Sequence, residues 1–183
     1  MQFPFNLMSN YTRLLIKTVF SCWSVLSISS CHISYTLSGA SIPLDAKTFS
    51  VQYITLSDQG TLAGPTYSQT LTDALRNYIA SNCKLALVSH GDLDFQGSVT
   101  GYSIAPIAAQ ASTPNASSLT RLTVTIDITY TDKHDAKKGY NATFSRYADF
   151  PSSSPLSSVQ NDLLTQIDKQ LVQDVFDKAF NNW

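Results

Sequence analysis

In Leu119-Thr120-Arg121-Leu122-Thr123-Val124-Thr125-Ile126-Asp127-Ile128-Thr129-Tyr130-Thr131, polar and apolar residues alternate without a break from Arg121 onward. Leu122, Val124, Ile126, Ile128 and Tyr130 fall on one side of an extended chain. Arg121, Thr123, Thr125, Asp127, Thr129 and Thr131 fall on the other. Successive side chains of a strand point to opposite faces, so strict alternation means one face buried and one in water, the habit of antiparallel sheets. The rest of the chain must supply the cover for that single apolar face.

Upstream, residues 93–104 read as a second long strand, with Gly97 and Gly101 four apart and therefore on one face, where they predict a close approach or a bend. Residues 105–118, rich in Ala, Ser and Thr, join the two strands as a loop long for a hairpin. Downstream, residues 131–139 form a polar hairpin loop leading to a strand over residues 140–147. Residues 48–54 and 84–88 read as two further strands, with turns at 57–60 and 89–92.

Two helical patterns supply the cover. Tyr67, Leu71, Leu75, Tyr78 and Ile79 make one stripe, opened by Thr66 and Gln69 at capping-box spacing and stopped near Asn82. After Pro151-Ser152-Ser153-Ser154-Pro155, Val159, Leu163, Ile167, Leu171, Val175 and Ala179 recur every four residues. Ser157 and Gln160 repeat the capping-box spacing, and the helix extends about 34 Å, enough to cross a sheet. The expected fold is α+β, a two-layer sandwich of a mostly antiparallel four- to five-stranded sheet with two helices on one face. The other face, rich in Thr, Ser and Gln, is left for water or a partner.

The amino-terminal stretch has a different character. Arg13 and Lys17 precede an apolar run that closes in Ile28-Ser29-Ser30-Cys31, the order of a secretory signal. Its last four residues resemble the lipobox of a bacterial lipoprotein, which implies acylation at Cys31. Cys22 is a rival site but follows bulky Phe20 in mid-run, and Met8 is an alternative start, since residues 1–7 carry no charge. The alternatives are an uncleaved membrane helix, for which the serine-containing run is short, or an ordinary secretory signal. The expected division is a signal over residues 1–30, a tether over 31–47 and one domain over 48–183.

Without Arg13 and Lys17, the mature chain keeps ten of the twelve Lys and Arg against thirteen Asp, a formal charge of -3. That balance argues against a nucleic-acid partner, which requires a net basic face. With Cys22 in the signal and Cys31 acylated, Cys83 stands alone, so neither an internal disulfide nor a multi-cysteine metal site is available. Two sequons, at Asn115 and Asn141, are chance-level triplets.

Little in the chain reads as chemistry. His90 with Asp92 and Asp94, and His134 with Asp132 and Asp135, are conceivable metal clusters, but each sits at a turn where solvated polar residues are the simpler account. Nucleophile elbow, phosphate loop and HExxH motif are all missing, so no catalytic residue and no cofactor is assigned. Lys133, Lys137, Lys138 and Arg146 form the densest basic cluster, fit to attract an anionic ligand such as a phosphorylated glycolipid or simply to keep a hairpin soluble.

An ordered set of segments carries a family resemblance: residues 38–43 (SGASIP), 47–53 (KTFSVQY), 68–76 (SQTLTDALR), 94–102 (DFQGSVTGY) and 144–150 (FSRYADF), with Asn181-Asn182-Trp183 at the end. Together, behind a lipoprotein-like signal, they resemble the LptE family of lipopolysaccharide-assembly lipoproteins in its Bacteroidetes form. The resemblance covers nearly all of the mature chain. It implies a non-catalytic, lipid-anchored plug that helps the outer-membrane β-barrel LptD fold and deliver lipopolysaccharide to the outer leaflet. It also implies a small sheet packed on two helices. Basic residues bind lipopolysaccharide in some relatives, and Lys133, Lys137, Lys138 and Arg146 are candidates for that contact by chemistry alone. No acidic run follows Cys31, which favours an anchor facing the periplasm. Competing readings are an auxiliary lipoprotein of a lipid or polysaccharide ABC transporter and a periplasmic hydrolase using His90 or one of the serines.

Overall fold

The computed structural model describes residues 45–58, 60–107 and 118–181. The expected signal, Cys31, nearly all of the tether, the sequon at Asn115 and the carboxyl-terminal Asn182 and Trp183 lie outside the described residues.

The alternating stretch forms β5 (Leu119–Asp132), the longest-paired member of the sheet. Its apolar series is buried, with Leu122, Val124 and Ile128 wholly without solvent contact. β5 pairs antiparallel with β4 (Leu93–Ile107) on one side and with β6 (Tyr140–Pro151) on the other. β4 thus takes in three residues, 105–107, assigned to the loop that follows it, and β6 continues to Pro151, at an edge where a missing N–H breaks no ladder.

The remaining strands are short and parallel. β1 (Thr48–Val51) lies beside both β4 and β3 (Ala86–Leu87), and β2 (Thr55–Leu56) pairs with β4. The order is β3-β1-β4-β5-β6 with β2 beside β4: the sheet is mostly antiparallel along its long strands, as expected, but it has six strands and the short ones join it in parallel. The cause lies between β1 and β3: helix α1 (Tyr67–Asn82) carries the chain back across the sheet, and a crossover of that kind delivers a parallel strand.

α1 and α2 (Leu156–Phe180) cover the apolar face, α2 running about 37 Å at 1.5 Å per residue. From α1, Tyr67, Leu71, Leu75 and Ile79 are buried; from α2, Leu163, Ile167, Leu171, Val175 and Phe180 are among the buried residues. Tyr78 is half-buried and meets the Phe176 ring edge-on at 5.3 Å, joining the two helices. Phe180 closes one end of the core against Phe95 and Tyr130.

Three local expectations are corrected. Neither capping box forms: the Thr66 side chain makes no cap hydrogen bond, Gln69 donates to Asp73 instead, and α2 starts at Leu156 behind Pro155, which places Ser157 inside the helix. α1 ends at Asn82 without a left-handed residue; Asn82 donates its side-chain amide to Tyr78 O, and Cys83 is extended. Gly97 and Gly101 do not share a face, because the β4–β5 register shifts between Val99 and Gly101. Gly97 lies opposite Ile128 on the core side, and a Cβ there would stand 2.5 Å from Asp127 O. Gly101 lies opposite Thr125 on the polar side.

Candidate interaction surface

The face of β4, β5 and β6 away from the helices carries side chains already satisfied by one another. Thr125 and Ser145 share a hydroxyl hydrogen bond of 3.0 Å, and the Thr143 hydroxyl donates to Asp127 Oδ1 at 2.6 Å. Arg121 donates to both oxygens of Asp149, at 2.8 and 2.9 Å, while its guanidinium carbon lies 3.5 Å from the centre of the Tyr147 ring. That fork holds the Asp149 carboxyl below its usual range. On the β1 side, Asp94 accepts from Ser50 Oγ, from Gln52 Nε2 at 3.0 Å and from Gln96 Nε2 at 2.8 Å. Burial pushes the Asp94 carboxyl up, and the three hydrogen bonds outweigh it, leaving the carboxyl below its ordinary value. The result is a hydrophilic surface whose side chains are held by cross-strand pairs. Tyr147, 49 % exposed, is its one large aromatic ring.

The two expected turn clusters are built as turns. Asp92 accepts from the backbone N–H groups of Lys47 and Thr48, each at 3.0 Å, and the first of these bonds does most to lower its carboxyl. Asp132 Oδ1 accepts from the N–H of His134 and Asp135, and Asp135 Oδ1 from the N–H of Lys137. His134 Nε2 stands 3.8 Å from Asp92 Oδ1, which brings the two turns together at one end of the sheet. No group of three metal-capable side chains occurs among the described residues. Cys83 is buried, and that burial raises its thiol to about 11, so it is a poor nucleophile.

The basic cluster separates into two parts. Lys133, Lys137 and Lys138 are exposed at the β5–β6 turn, and none makes an ion pair among the described residues. Arg146 lies six residues further along β6, about 20 Å away at strand rise, and donates to both oxygens of Asp174 on α2 at 2.5 and 2.6 Å. What joins the turn lysines instead is Lys178, whose Nζ lies 5.3 Å from the centre of the Tyr140 ring. Its spacing from them in sequence concealed that neighbourhood, which follows from α2 ending over the start of β6.

Two clefts of about 380 and 460 Å³ lie along the α1–α2 seam and share Thr70, Thr165 and Asp168. Asp168 is only 4 % exposed and accepts from the Tyr67 hydroxyl at 2.5 Å. Neither cleft is lined by histidine or cysteine, so the seam offers an acid without a nucleophile–base pair.

A family model for lipopolysaccharide assembly, LptE, matches residues 46–179, which spans the whole sheet, α1 and all but the last residue of α2. The chain belongs to the LptE family. No curated protein matches the sequence significantly. Among solved structures, a hypothetical protein from Chlamydia trachomatis is 8 % identical and superposes with a TM-score of 0.50, over 73 % of this chain and 97 % of that one. A minor lipoprotein from Acinetobacter baumannii is 15 % identical over 72 % of this chain and 91 % of that one, with a TM-score of 0.45. Rare lipoprotein B from Shewanella oneidensis is 10 % identical over 72 % and 90 %, with a TM-score of 0.42. At such identities the likeness speaks for fold alone, and only the first superposition is close enough to do so.

Proposed function

We propose that this LptE-family chain is a non-catalytic lipoprotein, acylated at Cys31 and anchored in the outer membrane facing the periplasm. There it plugs an LptD-type β-barrel, assists its assembly and supports insertion of lipopolysaccharide into the outer leaflet. Residues 1–30 serve as the signal, 31–47 as the tether and 48–183 as the domain that docks. The observation that carries the reading is the polar face of β4, β5 and β6, which none of the described residues covers. It is presented by a domain whose family is that of lipopolysaccharide assembly. Cross-strand pairs fix its side chains in advance, so docking against the polar wall of a barrel lumen costs little further ordering. Tethering raises the effective concentration of the domain beside its barrel.

Lys133, Lys137 and Lys138 are the proposed first contacts for lipopolysaccharide phosphates, because no carboxylate of the described residues pairs with them. Arg146 would have to exchange Asp174 for a phosphate to take part. The test is affinity capture from outer membranes. The native chain should recover a large β-barrel protein, and Ser145→Arg, which places a long charge in the middle of the polar face, should lose it while keeping its circular dichroism. Equal recovery by both chains, or recovery of inner-membrane transporter components alone, overturns the reading. Intact mass of the extracted protein, starting at Cys31 with an added lipid, checks the anchor.

A further inference from the structure

We infer that the end of the sheet carrying the β5–β6 turn seats on the anionic phospholipid headgroups of the leaflet in which the chain is anchored, and so stands the sheet end-on before it meets a barrel. This rests on the proposed anchor at Cys31. The first supporting observation is where the described chain begins. Asp45 to Lys47 lead directly into β1, whose Phe49 lies opposite Leu93 at the start of β4, and Leu93 lies opposite Asp132 at the end of β5. Lys133 N–H donates to Asp92 O at 3.0 Å and binds the same corner. The tether therefore emerges at the lysine end. The fourteen residues from Cys31 to Leu44 extend at most about 50 Å, so the anchor permits this orientation without imposing it.

Charge imposes it. Pairing of Thr48 with Ala86 brings Lys84 to this end as well, and α2 brings Lys178. With Lys47, Lys133, Lys137 and Lys138 that makes six lysines, all exposed, against six aspartates at the same end: Asp45, Asp92, Asp94, Asp132, Asp135 and Asp177. Asp132 is buried, Asp92 and Asp135 are turned onto backbone N–H groups and Asp94 accepts from three side chains on the polar face, so the outward surface is more basic than the even count suggests. The remainder of the domain holds four basic and seven acidic groups, a balance of -3. Every arginine among the described residues is paired with an aspartate and no lysine is. An anionic surface thus attracts one end of the molecule and repels the rest. Lysines near such a surface act individually and additively within a Debye length, as a second signal beside a lipid anchor.

The experiment uses the mature chain, whole except for Cys31→Ser, so that no acyl chain can hold it to a membrane. Flotation with vesicles of phosphatidylcholine containing 30 % phosphatidylglycerol should retain it, pure phosphatidylcholine should not, and added salt should release it. Combining Lys133→Gln, Lys137→Gln and Lys138→Gln should weaken retention by about ten-fold or more, while Lys169→Gln, on the middle of α2, should leave it unchanged. Circular dichroism of the triple variant checks that it is folded. Equal retention on both vesicle types, or retention indifferent to the triple substitution, overturns the inference. So does retention only when lipopolysaccharide replaces phosphatidylglycerol, because the lysines would then serve the cargo. A negative result leaves acylation at Cys31 untouched, and an unacylated native protein would remove the anchor without altering vesicle retention.

Discussion

Asp168 is shifted in the opposite direction to Asp92, Asp94 and Asp149. It projects from α2 into the helix seam, and burial raises its carboxyl to about 6 against a hydrogen bond from Tyr67 that lowers it. Tyr67 is driven upward in turn, first by its own burial and then by the Asp168 charge. A carboxyl that binds its proton more tightly when folded stabilises the fold at low pH. That contribution is complete below the ordinary value of 3.8 and is lost as pH rises through about 6. Two units correspond to roughly 3 kcal/mol. Urea unfolding should therefore show the domain more stable at pH 5 than at pH 7.5. Asp168→Asn, which keeps an acceptor for Tyr67 and removes the charge, should flatten that slope and raise stability at pH 7.5. Asp92, Asp94 and Asp149, all lowered, act in the opposite sense and only below their ordinary range, so they do not obscure this window. A slope of the usual sign between pH 5 and 7.5 would show that the Asp168 carboxylate is solvated in the cleft.

At the scale of elements, the bulge in β4 decides which glycine is indispensable. Gly97 sits opposite Ile128, with backbone oxygen and a packed methyl where its Cβ would be, each at 2.5 Å. Backbone of the neighbouring strand has nowhere to move, so Gly97→Ala should cost about 2–3 kcal/mol in chemical denaturation. Beyond the bulge, a Cβ on Gly101 meets only the Thr125 side chain at 3.2 Å, and Gly101→Ala should stay within about 0.5 kcal/mol. The same bulge marks the limit of what could be read from sequence. β5 was legible because one buried and one wet face impose a period of two over its length, and α2 because its apolar stripe is long. β4 breaks its own alternation near Thr100, so extrapolating the pattern across it put Gly101 on the wrong side. β2, two residues long and outside the expected strand over residues 48–54, is too short for any period and owes its existence to pairing with β4, whereas β3 falls inside the strand expected over residues 84–88. The capping boxes failed because Pro155 fixed one helix start and Gln69 found Asp73 at the other.

For the molecule as a whole, the two faces of the sheet are unequal in a way that bears on docking. One is sealed by α1 and α2; the other has no cover among the described residues and is stiffened by pairs of its own side chains. That the face would be polar was plain from the threonines of β5, but its aromatic centre was not. Tyr147 and Arg121 lie twenty-six residues apart, and only the pairing of Thr123 with Tyr147 and of Arg121 with Asp149 assembles the stack. Because Asp149 holds the guanidinium and the guanidinium covers the ring, Tyr147 is ordered before any partner arrives. Large rigid aromatics beside arginine are the residues that most often dominate an interface. Their loss at an interface centre costs about 2 kcal/mol, or some thirty-fold in affinity. In the free domain, by contrast, Tyr147 is half-exposed and its removal opens no core cavity. Tyr147→Ala should therefore weaken recovery of the barrel by about that factor while moving the midpoint of unfolding very little. If the variant recovers the barrel as well as the native chain does, the docking surface is not this face of the sheet, and the helix side or the sheet edge at β6 becomes the surface to test.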